Sequence, residues 1–110
     1  MAEASGCGFT VESLKILVGE APSRIAKLFG IDHRFCVGAG SMIMAVKAGK
    51  EHELIQHLEN HSIPASVVGA MTEKEEGFKL IENGEEKDFS FDGNDPYWAA
   101  YFKAMEAGWK

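Results

Sequence analysis

The run Gly77-Phe78-Lys79-Leu80-Ile81-Glu82-Asn83-Gly84-Glu85-Glu86-Lys87-Asp88-Phe89-Ser90-Phe91 decides the fold class. Asn83-Gly84 is the dipeptide that a type I′ turn selects, because both central residues of that turn need positive φ. Gly77 to Glu82 and Glu86 to Phe91 flank it as two strands. Phe78 and Leu80 are placed to oppose Phe89 and Phe91, which makes one face apolar and leaves the other charged. A hairpin with one apolar face must lay that face on another layer. The neighbouring segments supply both further strands and helices.

Immediately upstream, Glu73, Glu75 and Glu76 with Lys74 read as a solvated turn, and Ala65 to Met71 as a short strand. Glu51 to His61 is an amphipathic helix with Leu54, Ile55 and Leu58 inside and Lys50, Glu51, Glu53, Gln56 and Glu59 outside. Ile63-Pro64 ends it. Phe35 to Val46 reads as a strand, and its second half is a continuous apolar run, the pattern of a strand buried on both faces. Gly38 and Gly40 interrupt its first half, which signals a bulge or a close backbone approach. A helix is predicted from Ala21 to Phe29, with Pro22 in its first turn, Ile25, Leu28 and Phe29 as its apolar stripe, and Gly30 as a left-handed cap. Phe9 to Val18 is a β-rich segment whose alternation changes phase, so a strand with a bend is expected.

Downstream, Asp92-Gly93-Asn94 forms a loop, Asp95 a helix N-cap and Pro96 the first helical residue. Tyr97, Trp98, Tyr101, Phe102 and Met105 then make a wide aromatic stripe on a helix ending near Gly108. The predicted order is β-α-β-α-β-β-β-α. The fold class is α+β, with a mixed or antiparallel sheet and helices packed on one face.

Composition bounds the function. The 110 residues are one domain's length, and 45% hydrophobic with 25% charged residues is a globular balance. The net charge of −6 argues against nucleic acid and anionic membrane surfaces as partners. No apolar run approaches the ~20 residues of a membrane span. The first residues, Met1-Ala2-Glu3-Ala4-Ser5-Gly6, carry no basic start and no apolar core of a secretory signal. Cys7 and Cys36 form no C-x-x-C pair and no disulfide framework; they read as reduced thiols of a cytoplasmic protein, against the alternatives of a single disulfide or a reactive thiol.

Three groups of residues invite a chemical reading. His57 and His61 lie four apart on a helix, with Glu53 four before His57, a row that can address a metal. The plainer reading is a solvated helix face with histidine near the negative end of the dipole, and no metal site is assigned. Gly38-Ala39-Gly40-Ser41 offers backbone N–H groups and a hydroxyl to a ligand, against the alternative that the glycines permit close packing. It is neither a P-loop nor a dinucleotide fingerprint, because no Gly-Lys-Ser/Thr follows and the next element reads as a strand. Tyr97, Trp98, Tyr101 and Phe102 either cover the sheet or dock on another domain or subunit. No Ser/His/Asp triad assembles, and Asp32 beside His33 reads as a turn residue.

Four landmarks in order resemble the C-terminal domain of the aminoimidazole ribonucleotide (AIR) synthase superfamily. That superfamily includes PurM-type AIR synthase, the hydrogenase maturation factor HypE, selenophosphate synthetase and thiamine-monophosphate kinase. The first landmark is the helix end Leu28-Phe29-Gly30-Ile31-Asp32. The second is Val37-Gly38-Ala39-Gly40-Ser41-Met42-Ile43-Met44-Ala45-Val46, similar to the family's Ser-Ser-Gly-Thr-Leu-Leu-Ile-Ala-Val strand. The third is the amphipathic helix followed by Ile63-Pro64-Ala65-Ser66-Val67-Val68-Gly69, and the fourth is Thr72-Glu73 with the loop and hairpin beyond. Together they cover about Ala4 to Phe91.

The resemblance implies part of an ATP-dependent enzyme that activates a carbonyl or amide-like oxygen, or another acceptor, by phosphoryl transfer. ATP and Mg²⁺ would belong to an N-terminal domain of the same parent chain, and a homodimer is expected. This chain would be the cleft-closing end of that enzyme, inactive alone, with Gly38, Ala39, Gly40 and Ser41 lining the substrate cleft. Residues 1–94 would form a partial C-terminal domain, with Glu3-Ala4-Ser5-Gly6 as the tail of a preceding helix. Residues 95–110 would form the aromatic helix, packed on that domain or on a partner. The family's serines before the glycine are here Gly38 and Ala39, which leaves backbone N–H groups and Ser41 as donors. HypE typically ends in a catalytic cysteine; Glu106-Ala107-Gly108-Trp109-Lys110 contains none, so a HypE-like or AIR-synthase-related paralogue is expected. The rival expectation is a non-catalytic small-ligand-binding or oligomerisation module.

Overall fold

A computed structural model describes residues 1–109. The chain divides into two units, Met1–Leu17 with Ile43–Ser90, and Val18–Met42 with Phe91–Lys110.

The first unit is built on a sheet. Its strands are β1 (Gly8–Glu12), β2 (Gly69–Thr72), β3 (Phe78–Glu82) and β4 (Glu85–Asp88), in the order β2-β1-β3-β4. β1 runs antiparallel to β2 and parallel to β3, and β3 and β4 form the antiparallel hairpin. The sheet is therefore mixed and the class α+β, as the pattern predicts. Asn83 and Gly84 have φ of 53° and 82°, the positive pair that a type I′ turn requires. Phe9 pairs with Phe78 in register, and their rings stack at 5.0 Å; Phe89 meets Phe9 edge-on at 5.5 Å. These three rings form the apolar face of the sheet. Lys79 on the opposite face bonds Asp88 at 2.7 Å.

Two glycines let these strands approach. A Cβ on Gly69 would drive into the carbonyl of Thr10 on β1, and one on Gly8 would lie 2.6 Å from the Glu73 carbonyl. Side chains at these positions would push β2 and the following turn off β1.

The expected strand from Phe9 to Val18 is shorter than its composition suggests. It ends at Glu12, and the change of phase is a 3₁₀ turn, Ser13–Lys15. The Ser66 hydroxyl donates to the Lys15 carbonyl at 2.7 Å, which ties that turn to the approach of β2. β2 itself starts at Gly69 rather than Ala65. The hairpin also corrects one expectation. With Glu82 opposite Glu85, Leu80 faces Lys87, and Phe78 meets Phe89 through the bond from the Phe89 amide at 2.8 Å. Phe91 would need a strand residue at position 76, which lies in the 3₁₀ turn Lys74–Glu76, so Phe91 leaves the sheet.

Helices α1 (Ala2–Ser5) and α3 (Glu51–Asn60) complete this unit. α1 is a four-residue helix absent from the predicted order, and Gly6 closes it at φ 66°.

The second unit holds α2 (Glu20–Phe29) and α4 (Pro96–Glu106). Gly30 caps α2 at φ 64°, with the Ile31 amide reaching back to the Ala26 carbonyl at 3.0 Å, the Schellman arrangement. Phe29 meets Trp109 at 5.6 Å, and Phe35 stacks on Phe91 at 5.6 Å. Ala26 is buried, whereas Ile25 and Leu28 of the expected inner stripe are exposed. Apolar spacing marks a face that gains from cover; it does not supply the cover.

The largest correction concerns the expected strand from Phe35 to Val46. Residues 36–50 contain no strand, and the four-stranded sheet makes no ladder with them. Val37, Met42 and Ile43 are each 79% exposed rather than buried on both faces. A strand exists only through hydrogen bonds to a neighbour, and an apolar run without that neighbour remains extended chain. The observed order is therefore α-β-α-α-β-β-β-α. Among the described residues only Ala2, Gly8 and Ala26 are buried.

Candidate functional site

Gly38, Ala39, Gly40 and Ser41 form an exposed four-residue turn in the second unit. The Ser41 amide donates to the Gly38 carbonyl at 2.9 Å, and Gly40 in third place has φ 87°, a combination that matches a type II turn. That geometry explains Gly40, since a side chain there would be strained. It does not require Gly38, where a Cβ would make only ordinary contact with Ser41. The Ala39 and Gly40 amides donate to no partner among the described residues, and neither does the Ser41 hydroxyl. The turn thus carries three open donors.

One carboxylate anchors the turn. Asp95 caps α4 by accepting from the Tyr97 amide at 2.8 Å through Oδ1. Its Oδ2 accepts from the Val37 amide at 3.0 Å, a bond across 58 positions. These two amides, with the Cys36 thiol, hold the Asp95 carboxyl below the usual carboxylate range. Burial raises the Cys36 thiol, and the neighbouring Asp95 charge adds to the effect, which disfavours the thiolate. Asp32, read as a turn residue, caps the 3₁₀ turn His33–Phe35 and pairs with the Arg34 guanidinium, which lowers its carboxyl despite partial burial. The cap role of Asp95 follows from Asp-Pro before an aromatic run. Its second bond to Val37 has no local signal in the sequence.

The histidine row lies on α3 in the first unit. The His57 and His61 rings stand 4.7 Å apart, while Glu53 pairs with Lys50 at 2.6 Å. An open groove of about 490 Å³ runs beside this helix, lined by Val46, Lys50, Leu54 and Asn60 among others. Among the described residues no three imidazole, thiol or carboxylate groups come together as a metal-ligand set.

On α4, Tyr97, Trp98, Tyr101 and Phe102 are exposed, at 47%, 55%, 42% and 59%. Their rings pack chiefly on one another, with Tyr97 against Trp98 at 5.2 Å and Tyr101 against Phe102 at 5.5 Å. Among the described residues no helix is long and apolar enough to cross a membrane.

A mixed sheet in the order β2-β1-β3-β4, with a parallel β1–β3 pair and helices in the same chain, defines an α+β domain. Its family is more specific: the chain belongs to the AIR synthase related proteins, C-terminal domain, whose family model matches residues 1–81. No curated protein and no solved structure matches the chain. The glycine turn and the apolar run 42–46 fall inside the matched span; Asp95 and α4 fall outside it.

Proposed function

We propose that this chain is the substrate-cleft domain of an AIR-synthase-related, HypE-like ATP-dependent enzyme of the cytoplasm. ATP and Mg²⁺ are handled by an N-terminal domain of the same parent chain, in a homodimer, and the chain alone has no turnover. Gly38, Ala39, Gly40 and Ser41 line the cleft. The observation that carries this reading is the exposed turn, with its three open donors, inside the span that matches the family.

The charge around the turn narrows its role. Asp95 places a carboxylate on the amide of Val37, immediately before Gly38. A phosphate seated on the same turn would meet that like charge, which opposes it. The open amides and the Ser41 hydroxyl therefore suit an uncharged oxygen, a carbonyl or hydroxyl of the substrate, and phosphate belongs elsewhere in the cleft. Such donors act by orienting the acceptor and stabilising charge that develops on it.

ATP hydrolysis by the 110-residue chain tests the division of labour. Phosphate release at the rate of a protein-free control is expected; sustained release that scales with chain concentration overturns it.

A further inference from the structure

We infer that His57 and His61 form a two-histidine clamp for a borderline divalent transition ion of the Zn²⁺ class, a site separate from the glycine turn. Both residues lie at the C-terminal end of α3, His57 in its last turn and His61 as its C-cap. Their rings are 4.7 Å apart, centre to centre, and inclined by 43°. Two imidazoles sharing a tetrahedral ion with metal–nitrogen bonds near 2.0 Å place their ring centres roughly 5 Å apart. The pair already stands at that spacing.

A second observation concerns the state of the ring. His61 Nδ1 lies 2.8 Å from the His57 carbonyl oxygen. A carbonyl oxygen only accepts, so Nδ1 carries the proton, and in the neutral ring Nε2 keeps the lone pair. Metal-binding histidines are commonly fixed in this way, with one nitrogen donating to a backbone carbonyl and the other ligating. Glu53, the remaining member of the row, is held by Lys50 at 2.6 Å. The clamp is therefore bidentate, with water completing the shell. Imidazole ligands favour Zn²⁺, Ni²⁺ and Cu²⁺ over the hard ions Mg²⁺ and Ca²⁺, which take oxygen.

The test is a titration of the tag-free chain with ZnCl₂, followed through the side-chain ¹⁵N resonances of His33, His52, His57 and His61. Saturable binding of one ion per chain is expected, with the Nε2 signals of His57 and His61 moving together and those of His33 and His52 unmoved. His57→Asn and His61→Asn should each weaken binding by about tenfold or more, with far-ultraviolet circular dichroism unchanged; MgCl₂ should move no ring signal. Absence of saturable binding, movement of only one of the two rings, or undiminished affinity in either folded variant overturns the assignment.

Discussion

The sheet unit and the helical unit are held together by different means. In the first, four strands share ladders, Phe9 and Phe78 stack across β1 and β3, and Phe89, just past β4, meets Phe9 edge-on. Cooperation comes from many neighbouring contacts, so no single polar bond governs the unit. In the second, α2, the glycine turn and α4 depend on end caps, two ring pairs and the Asp95 carboxylate. The contrast matters for function because the turn proposed to meet substrate sits in the unit with the fewer supports. Segments that change on binding are generally drawn from such places.

The comparison can be broken most severely in the sheet. Gly69→Val places a branched side chain against the Thr10 carbonyl and should cost about 3 kcal/mol, the upper range for forcing bulk into a filled space. Urea unfolding would show a lower midpoint; an unchanged midpoint would mean that β2 does not hold its register on β1. Phe78→Ala removes a half-buried ring from the stack, with an expected loss of about 2 kcal/mol. Its midpoint should fall less than that of Gly69→Val. A larger fall would shift the weight of the unit from backbone approach to ring packing.

The smallest effect belongs to Asp95, and it should be local. Its carboxyl titrates below the ordinary aspartate range because the folded chain donates amides to its charged form. A depressed value contributes stability that is present above the unfolded value and is lost as pH falls through the folded one. Acidification below about pH 4, or Asp95→Ala at neutral pH, should therefore speed hydrogen exchange at the Val37 and Tyr97 amides. The amides of β3 should keep their protection. Equal loss in both units would erase the contrast.

The parts that could be read from sequence are those decided by near neighbours in the chain. Asn83-Gly84 dictates its turn through φ, Gly30 closes α2 for the same reason, and Asp95-Pro96 starts α4. What failed were inferences from apolarity to pairing. Met42-Ile43-Met44-Ala45-Val46 has the composition of a buried strand, yet a strand also needs a partner, and composition does not name one. The same limit applies to Ile25 and Leu28, whose spacing is helical and whose cover is missing from their own helix. The candidate turn was identifiable as Gly-Ala-Gly-Ser; its anchor was not, because Asp95 lies 58 positions from Val37.

On the proposed function, the glycine turn of residues 38–41 is covered by the ATP-binding part of a parent enzyme. Hydrogen–deuterium exchange over residues 38–41 tests this directly, in the isolated 110-residue chain and in a polypeptide that carries it together with such a domain. The account predicts rapid exchange in the isolated chain and strong protection of this segment in the larger protein. Equally rapid exchange in both would contradict it.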